Sequence, residues 1–271
     1  MILIAVMALG VQLASGQTAT TRELRVCAEP NNLPFSNRQF QGFENRIAAV
    51  IATELHATVT YAWMPERRGF VRRTLKAGQC DLMIDLPVGY EAVLATKAYY
   101  RSSYVFVYRR DRYPNLRSFD DERLKALTIG LHMSAEDGAN QPPAHALARR
   151  HITDHIVGFK MFDDDTVEQP AGRIIDAVAA GDIDVAIVWG PIAGYFARHQ
   201  RTELQVVPVE PGIDSTGLPF AYDMAMGVRP GQTAFKEEIE RVLDRRRTDI
   251  NHILEEYGLP LIAAPSPSSP R

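Results

Sequence analysis

The chain has 271 residues, of which 46% are hydrophobic and 23% are charged, and its formal net charge at pH 7 is −3. This composition is typical of an ordinary globular protein, and the lack of a basic excess argues against nucleic acid as a partner. Because 271 residues slightly exceed what one hydrophobic core usually serves, we expect two lobes.

The first 16 residues have the character of a secretory signal. Residues 1–13 are nearly all apolar, and residues 14–16 (Ala-Ser-Gly) supply the small side chains that a signal peptidase prefers. The positively charged segment that usually opens such a signal is missing, since the first basic residue is Arg22. We predict a signal peptide over residues 1–16, with a short lipid-inserted anchor as the alternative. No interior run approaches the roughly 20 apolar residues of a membrane span, so we expect no span in the mature protein.

The next stretch, up to Leu55, predicts a strand, a polar loop and a helix. Leu24–Ala28 is a short apolar run without helical spacing, which indicates a buried strand. A loop over residues 29–41 follows, and Glu44 then lies in the first turn of a helix, where a carboxylate suits the positive end of the dipole. The apolar face of that helix has the expected spacing, at Phe43, Ile47, Val50, Ile51 and Leu55. This order opens an α/β domain, and such sheets place ligands at the loops after their strands.

Two more strands and a helix continue the pattern. We predict strands over residues 59–63 and 80–86 with a helix from Phe70 to Gly78 between them, and hence parallel strands joined by right-handed crossovers. The ordinary alternatives for the polar side chains in their loops are turn formation for asparagine, solvation for arginine and a structural cap for aspartate. The candidate cleft residues at these strand ends are Glu29, Asn31, Asn32, Arg67, Arg68 and Asp85.

The two cysteines, Cys27 and Cys80, are 53 residues apart. An oxidising compartment favours a disulfide between them, whereas the alternative is two small buried hydrophobic side chains on neighbouring strands. A parallel register with Cys27 near the end of one strand and Cys80 at the start of another would argue against the bridge, because Cα atoms more than about 7 Å apart cannot be joined. No CxxC motif occurs, so zinc and thioredoxin-like chemistry have no support.

A second set of α/β units follows, and it ends with a return to the first lobe. A strand over residues 127–131 leads to two further cleft candidates, His132 and Ser134, and a strand over residues 183–189 ends at Trp189, a third candidate. A strand over residues 103–109 leaves the first lobe before these units begin. The remaining predicted elements are helices opened by Pro142, Pro170 and Pro191, the second of them stopped by Gly181, strands over 156–161, 204–209 and 220–228, and two consecutive helices over 233–257 that break near Thr248. We place lobe 1 at residues 22–110 and 218–262, lobe 2 at 111–210, and a disordered Pro/Ser-rich tail at 264–271.

A lobe interrupted by a second lobe resembles the type II periplasmic binding proteins. The stretches LRVCAEPNNLPFS, GFENRIAAVIATEL, AGQCDLMIDLP and GDIDVAIVWGPIAGYF carry this resemblance, which covers most of residues 22–262. More narrowly, CAEPNNLPFSN, PERRGFVRRTLKAGQCD and YYRSSYVFVYRRD are similar to the binding-protein-like accessory proteins encoded beside pyrroloquinoline-quinone (PQQ) alcohol dehydrogenases, the XoxJ/MxaJ type. The resemblance implies an α/β fold with two lobes, each a mostly parallel sheet flanked by helices.

The resemblance also implies a function. It points to a non-catalytic periplasmic accessory protein, without a cofactor, that binds or helps to mature or activate a PQQ-dependent methanol (alcohol) dehydrogenase. Its partner would be that dehydrogenase or its associated cytochrome. The alternative is a solute-binding receptor of an ABC transporter for a small cleft ligand that is not an α-amino acid.

Two positions depart from the amino-acid receptors of this fold. Those receptors bind the ligand carboxylate with an arginine after the third strand and the ammonium with an aspartate in the second lobe, whereas the corresponding positions here are Ala92 and Trp189. Losing two charge-assisted hydrogen bonds of roughly 1.5–3 kcal/mol each would reduce affinity by on the order of 10²–10⁴. We therefore expect no amino-acid ligand. Trp189 suits stacking on or anchoring a partner, with core packing as the alternative.

Signals for catalysis and metal binding are weak. No Gly-x-Ser-x-Gly, HExxH or dinucleotide-binding motif is present. His151 and His155 have the spacing of a helical metal pair, but the residues between them favour extended structure, and the aspartates at 163–165 fit a solvated helix start. We predict neither an enzyme nor a metal site, and we interpret the tyrosines at 99, 100 and 104 as core or hinge packing.

Overall fold

The computed structural model describes residues 21–113, 115–133, 141–161 and 169–263. The predicted signal peptide, the predicted disordered tail, the aspartates at 163–165 and the candidate Ser134 lie outside these described residues. None of the helices within them combines the length and apolar character needed to cross a membrane.

The longer strands follow the predicted order with small shifts at their ends, whereas the three two-residue strands were not predicted. They are β1 (Arg22–Ala28), β2 (Asn31–Asn32), β3 (Ser36–Asn37), β4 (Ala57–Trp63), β5 (Met83–Pro87), β6 (Leu94–Ala95), β7 (Tyr100–Arg109), β8 (Ile129–Met133), β9 (Ile156–Lys160), β10 (Val185–Trp189), β11 (Leu204–Pro208) and β12 (Ala221–Val228).

The helices also follow the prediction, although the second is a single turn. They are α1 (Phe43–Glu54), α2 (Phe70–Arg73), α3 (Pro142–Arg149), α4 (Arg173–Ala180), α5 (Gly190–Arg198), α6 (Thr233–Arg245) and α7 (Arg247–Glu256). The predicted stop after α4 is Gly181, which has the positive φ of 86° that glycine tolerates best. The break between the last two helices falls at Arg246.

The sheet of the first lobe combines parallel and antiparallel pairs. β1 pairs with β4 in parallel over its whole length, and a parallel bridge between Val26 and Leu82 joins β1 to the chain that enters β5. β12 lies antiparallel to β5 on one side and to the first half of β7 on the other. The carboxyl ends of β1, β4 and β5 therefore meet at one edge of this sheet.

The sheet of the second lobe is mixed in the same way. β8 lies parallel to β9 and to β10, whereas β10 and β11 both lie antiparallel to the second half of β7. Both sheets are thus parallel where βαβ units build them and antiparallel where the long strands that connect the lobes join them. This is the periplasmic-binding-protein architecture that the sequence predicts, with more antiparallel pairing than expected.

Strand β7 passes from one sheet to the other. Its residues up to Ser103 pair with β12, and from Tyr104 onward they pair with β10 and β11. The strand therefore changes partners in its middle and places Tyr104 at the junction. The division of the chain into lobes at residues 110 and 210 stays a prediction.

Helix α1 packs its predicted apolar face against the first sheet. Phe43, Ile47 and Ile51 are fully buried there, and each contributes roughly 1.5–3 kcal/mol by leaving water. Gly42 precedes the helix because a Cβ at this position would lie 1.9 Å from the carbonyl oxygen of Phe35. This close approach fixes the 29–41 loop against the start of α1 and so fixes the direction of Glu44.

A disulfide joins Cys27 and Cys80, whose Cα atoms lie 5.3 Å apart. Cys27 is in β1, while Cys80 lies three residues before β5 begins. Cys80 is therefore outside the strand that follows it, and strand register does not set the distance between the Cα atoms of Cys27 and Cys80. The backbone N–H of Cys27 donates to the carbonyl oxygen of Leu82 at 2.9 Å, which holds the two segments side by side.

Candidate functional site

A cavity of about 530 Å³ lies between the two lobes, within the size range of ligand sites. Its first wall comes from the strand ends of lobe 1 and is mostly polar: Asn32, Phe35, Glu44, Glu66, Asp85 and Pro87. Its second wall comes from lobe 2 and the connecting strands and is mostly apolar: Tyr104, Gln141, Met161, Trp189, Ile192, Tyr222 and Met224.

The polar wall is acidic because separate elements end at the same edge. Glu29 directly follows β1, Glu44 lies in the first turn of α1, Glu66 follows β4 after two residues, and Asp85 is the third residue of β5. Glu29 is itself buried, and its carboxylate accepts a hydrogen bond from the backbone N–H of Glu66. Glu29 thus supports the wall from behind, while the other three carboxyl groups face the cavity.

The environment of these carboxyl groups favours their neutral forms. Partial loss of hydration at the cleft wall, followed by the repulsion of Glu29 and Asp85, raises the pKa of Glu66 to about 7, even though the Glu66 side chain is exposed to the solvent of the cleft. Burial likewise raises the pKa of Asp85 to about 7, against the opposing effect of the Tyr100 hydroxyl, which donates to Asp85 Oδ1 at 2.7 Å. Burial, then Asp85 and Glu66, raises the pKa of Glu44. The charged neighbours that produce these shifts are other carboxylates.

The apolar wall contains a cluster of three aromatic rings, Tyr104, Trp189 and Tyr222. Tyr104 and Trp189 are directly opposite each other in the β7–β10 register, with ring centroids 5.5 Å apart. The Tyr222 ring lies 5.9 Å from Trp189 and approaches it edge-on. The Tyr222 hydroxyl donates to the carbonyl oxygen of Pro219, whereas the Tyr104 hydroxyl forms no hydrogen bond within the described residues, and burial raises its pKa.

Three of the predicted cleft residues, Asn32, Asp85 and Trp189, line this cavity, and Glu29 lies behind its wall. Asn31 pairs with Asn37 in the β2–β3 hairpin and is not among the lining residues. The hairpin therefore turns one of the two adjacent asparagines toward the ligand space and the other away from it.

The arginine pair and the histidine lie elsewhere. Arg67 and Arg68 line a neighbouring cavity, also of about 530 Å³, which shares Glu66 and Asp85 with the first and includes Ala92. His132 is buried with its Nε2 3.1 Å from the carbonyl oxygen of Ala171, and burial lowers its pKa to about 4. It is therefore neutral and packs inside lobe 2 instead of lining the cavity.

The sequence reasoning missed several residues of the site. The sequence pattern assigned Glu44 to the helix dipole and Tyr104 to packing, and Glu66 was not among the predicted cleft residues. Counting acidic side chains at strand ends would have grouped Glu66 with Asp85. No sequence signal places Tyr222 on the cavity, because that depends on the return path of β12.

Comparison with known proteins identifies the family. The family model described as "Bacterial extracellular solute-binding proteins, family 3" matches residues 24–260. The protein MoxJ of Methylorubrum extorquens is 32% identical over 251 residues, which are 88% of this chain and 81% of MoxJ. A second protein named MoxJ, from Paracoccus denitrificans, is 31% identical over 262 residues, which are 94% of this chain and 95% of that protein.

A solved structure is similar over the same part of the chain. The crystal structure of the periplasmic binding protein XoxJ from Methylobacterium extorquens AM1 superposes with a TM-score of 0.73 at 36% identity, covering 89% of this chain and all of that one. The described residues, moreover, contain no group of three or more His, Cys, Asp or Glu side chains placed to hold a metal ion. The chain belongs to the bacterial extracellular solute-binding proteins of family 3 and is an XoxJ/MxaJ-type periplasmic binding protein.

Proposed function

We propose that this protein is a non-catalytic periplasmic accessory protein that binds, and helps to mature or activate, a PQQ-dependent methanol (alcohol) dehydrogenase. The partner is the dehydrogenase, its immature subunit or its associated cytochrome, and the contact is made in the cleft. Similarity to MoxJ and XoxJ over most of the chain supports this assignment.

The observation that carries the proposal is the composition of the cavity wall. Where an amino-acid receptor has an aspartate for the ligand ammonium, this chain has Trp189 within an aromatic cluster that faces the cavity. Aromatic side chains in a preformed groove commonly dominate the energetics of protein interfaces. The second departure, Ala92, leaves the position of the carboxylate-binding arginine without a charge.

The polar wall further disfavours a free amino acid. Glu44, Glu66 and Asp85 all face the cavity, so a ligand carboxylate placed there would meet carboxyl groups and no arginine fork. We expect calorimetry over the common amino acids to show no binding tighter than roughly millimolar. A micromolar amino-acid ligand would contradict this part of the proposal.

Deletion of the gene tests the function directly. The deletion strain should have lower holo-dehydrogenase activity, and complementation should restore it. Unchanged dehydrogenase activity in the deletion strain would overturn the proposal. The purified protein should also capture the dehydrogenase, its immature form or the cytochrome from a periplasmic extract.

The two tryptophans provide a matched pair for the cleft assignment. Trp189→Ala should weaken capture by at least about 2 kcal/mol, roughly 30-fold, if Trp189 is an interface hot spot. Trp63 stacks on Tyr61 at 4.7 Å and does not line the cavity, so Trp63→Ala should leave capture unchanged. Equal effects of both substitutions would place the contact outside the cleft.

The second candidate is a solute receptor of an ABC transporter. The cavity volume of about 530 Å³ favours it, since small-molecule sites commonly have this size. A receptor role predicts that the deletion strain loses uptake of one nutrient while its dehydrogenase activity stays normal. The accessory role predicts the opposite result.

A further inference from the structure

We propose that the cleft binds an organic ammonium group attached to an aromatic or other apolar body, with no carboxylate beside the ammonium. The ammonium belongs either to a free amine or to a lysine side chain of a bound polypeptide. The inference concerns the same cleft as the proposed function. It rests on the proposed function only if the ammonium belongs to a lysine of the partner protein.

The first observation is the uncompensated acidity of one wall. Glu44, Glu66 and Asp85 form no ion pair within the described residues, and they converge on one cavity from three separate elements. Asp81, four residues earlier, is by contrast paired with Arg25 and Arg229 at 2.7 and 2.9 Å. A cationic ligand would supply the positive charge that the described residues do not place against these three carboxyl groups.

The second observation is independent of the acids and lies on the opposite wall. The Tyr104 side chain is partly buried and faces the cavity, and its hydroxyl has no hydrogen-bond partner in the described part of the chain. A tyrosine hydroxyl accepts a hydrogen bond from an ammonium donor. Trp189 and Tyr222 complete a cluster whose π faces attract cations and whose area suits an apolar body.

The geometry also separates an organic cation from a metal ion. No described group of acidic, histidine or cysteine side chains has an arrangement that fits a metal ion. The cavity is much larger than a bare ion needs, and half of its wall is apolar. An ammonium attached to an aromatic ring or an alkyl chain would place its charge against the acidic wall and its apolar part against the aromatic wall.

Three small molecules test the charge requirement on the mature, folded protein at pH 8. Phenethylamine has an aromatic body and an ammonium, phenylalanine adds one carboxylate to it, and 2-phenylethanol replaces the ammonium with a hydroxyl. Titration calorimetry should show phenethylamine binding at least about tenfold tighter than either of the others. Equal affinities, or no binding of phenethylamine up to millimolar concentration, would overturn the inference.

Variants then locate the binding. Asp85→Asn, Glu66→Gln and Tyr104→Phe should each weaken phenethylamine binding by about three- to tenfold, with circular dichroism confirming that each variant is folded. Glu203→Gln is the matched control, because Glu203 is an exposed acid that pairs with Arg110 away from the cavity. A uniform loss that includes the control, or no loss in the three cleft variants, would overturn the assignment to this cleft.

Competition separates the two sources of the ammonium. If phenethylamine displaces a captured dehydrogenase, a lysine of the partner occupies the site. If phenethylamine binds without displacing it, the ligand is a free amine. If the protein captures the dehydrogenase but no amine binds, the inference fails while the proposed function stands. If an amine binds but deletion of the gene leaves dehydrogenase activity unchanged, the proposed function fails and the free-amine source remains.

Discussion

Two aspartates four residues apart, Asp81 and Asp85, have opposite environments. Asp81 lies just before β5, where its carboxylate accepts from Arg25 and Arg229. Asp85 lies within β5 on the cavity wall, where its carboxylate accepts a hydrogen bond from the Tyr100 hydroxyl. The hydrogen bonds of the two arginines outweigh the effect of burial and lower the pKa of Asp81, whereas burial raises the pKa of Asp85 to about 7.

The two ends of β5 also differ in how firmly they are held. At the Asp81 end, Arg229 donates to the carbonyl oxygen of Cys80 at 2.6 Å, and Cys80 is joined covalently to β1. The Asp85 end opens into the cleft. Among the described residues, the protein thus supplies counter-charges where the strand is anchored and leaves the carboxyl groups unpaired where a ligand or partner would bind. Such sites commonly cost stability in exchange for function.

Removing the disulfide should produce the largest change. The bridge closes a loop of 53 residues, and loss of such a bridge typically lowers the free energy of unfolding by about 2–4 kcal/mol. We expect the double variant Cys27→Ser, Cys80→Ser to show a loss of this size in urea melts. Thiol titration of the unreduced, denatured wild-type protein should find no free thiol. Two free thiols would show that no disulfide joins Cys27 in β1 to Cys80 before β5.

Neutralising Asp81 should have the next largest effect. Asp81→Asn leaves two half-buried arginines without their carboxylate, and because the Asp81 side chain is 20% exposed, we expect a loss of about 2 kcal/mol, less than for a fully buried pair. The pKa of Asp81 is lowered in the folded state, so its contribution is complete above the ordinary aspartate pKa and is lost as pH falls through the folded value. Asp111 pairs with Arg109 on the surface, and Asp111→Asn should leave the urea midpoint unchanged. Equal urea midpoints for Asp81→Asn and Asp111→Asn would show that the Asp81 ion pairs hold β5 no more firmly than a surface ion pair does.

Neutralising Asp85 should change stability in the opposite direction. Its folded pKa of about 7 exceeds the unfolded value of about 4, so the folded state holds a proton that the unfolded state releases. The free energy of unfolding therefore falls as pH rises from about 4 to about 7. Asp85→Asn should stabilise the protein by about 1–2 kcal/mol at pH 8, a discounted value because neighbouring carboxyl groups share the titration, and by almost nothing at pH 4.

Urea melts of the wild type and Asp85→Asn at pH 4, 6 and 8 check this sign. Destabilisation by Asp85→Asn at pH 8 would mean that the ionised carboxylate is already compensated within the apo protein. That result would also weaken the argument for a cationic ligand.

The sequence predicted the fold because local patterns decide it. The strand and helix order, the α1 face through Phe43 and Ile47, and the stop at Gly181 all depend on neighbours within a few residues. The antiparallel pairing of β7 with β10 and β12 was not predicted, because it depends on how the two connecting strands return to the sheets.

The candidate site was predicted less completely for the same reason. Asp85 and Trp189 were found because strand ends carry ligand residues in α/β sheets. Tyr104 and Tyr222 reach the cavity only through the partner change in the middle of β7 and the return of β12, which are long-range features. His132 follows a strand as expected, but it points into the lobe and bonds to Ala171, a direction that spacing alone does not reveal.

The smallest expected effect separates two tyrosines on either side of the acidic wall. The Tyr100 hydroxyl donates to Asp85, so Tyr100→Phe removes a hydrogen bond to a buried carboxyl group and should lower the free energy of unfolding by about 1 kcal/mol. It should also raise the pKa of Asp85 further, which moves the pH-dependent loss of stability to higher pH. The Tyr104 hydroxyl has no partner within the described residues, so Tyr104→Phe should change stability by less than about 0.5 kcal/mol while weakening amine binding. Urea melts and amine titrations of both variants test the pair. A larger stability loss in Tyr104→Phe than in Tyr100→Phe would show that the Tyr104 hydroxyl holds the protein together and is not left for a ligand.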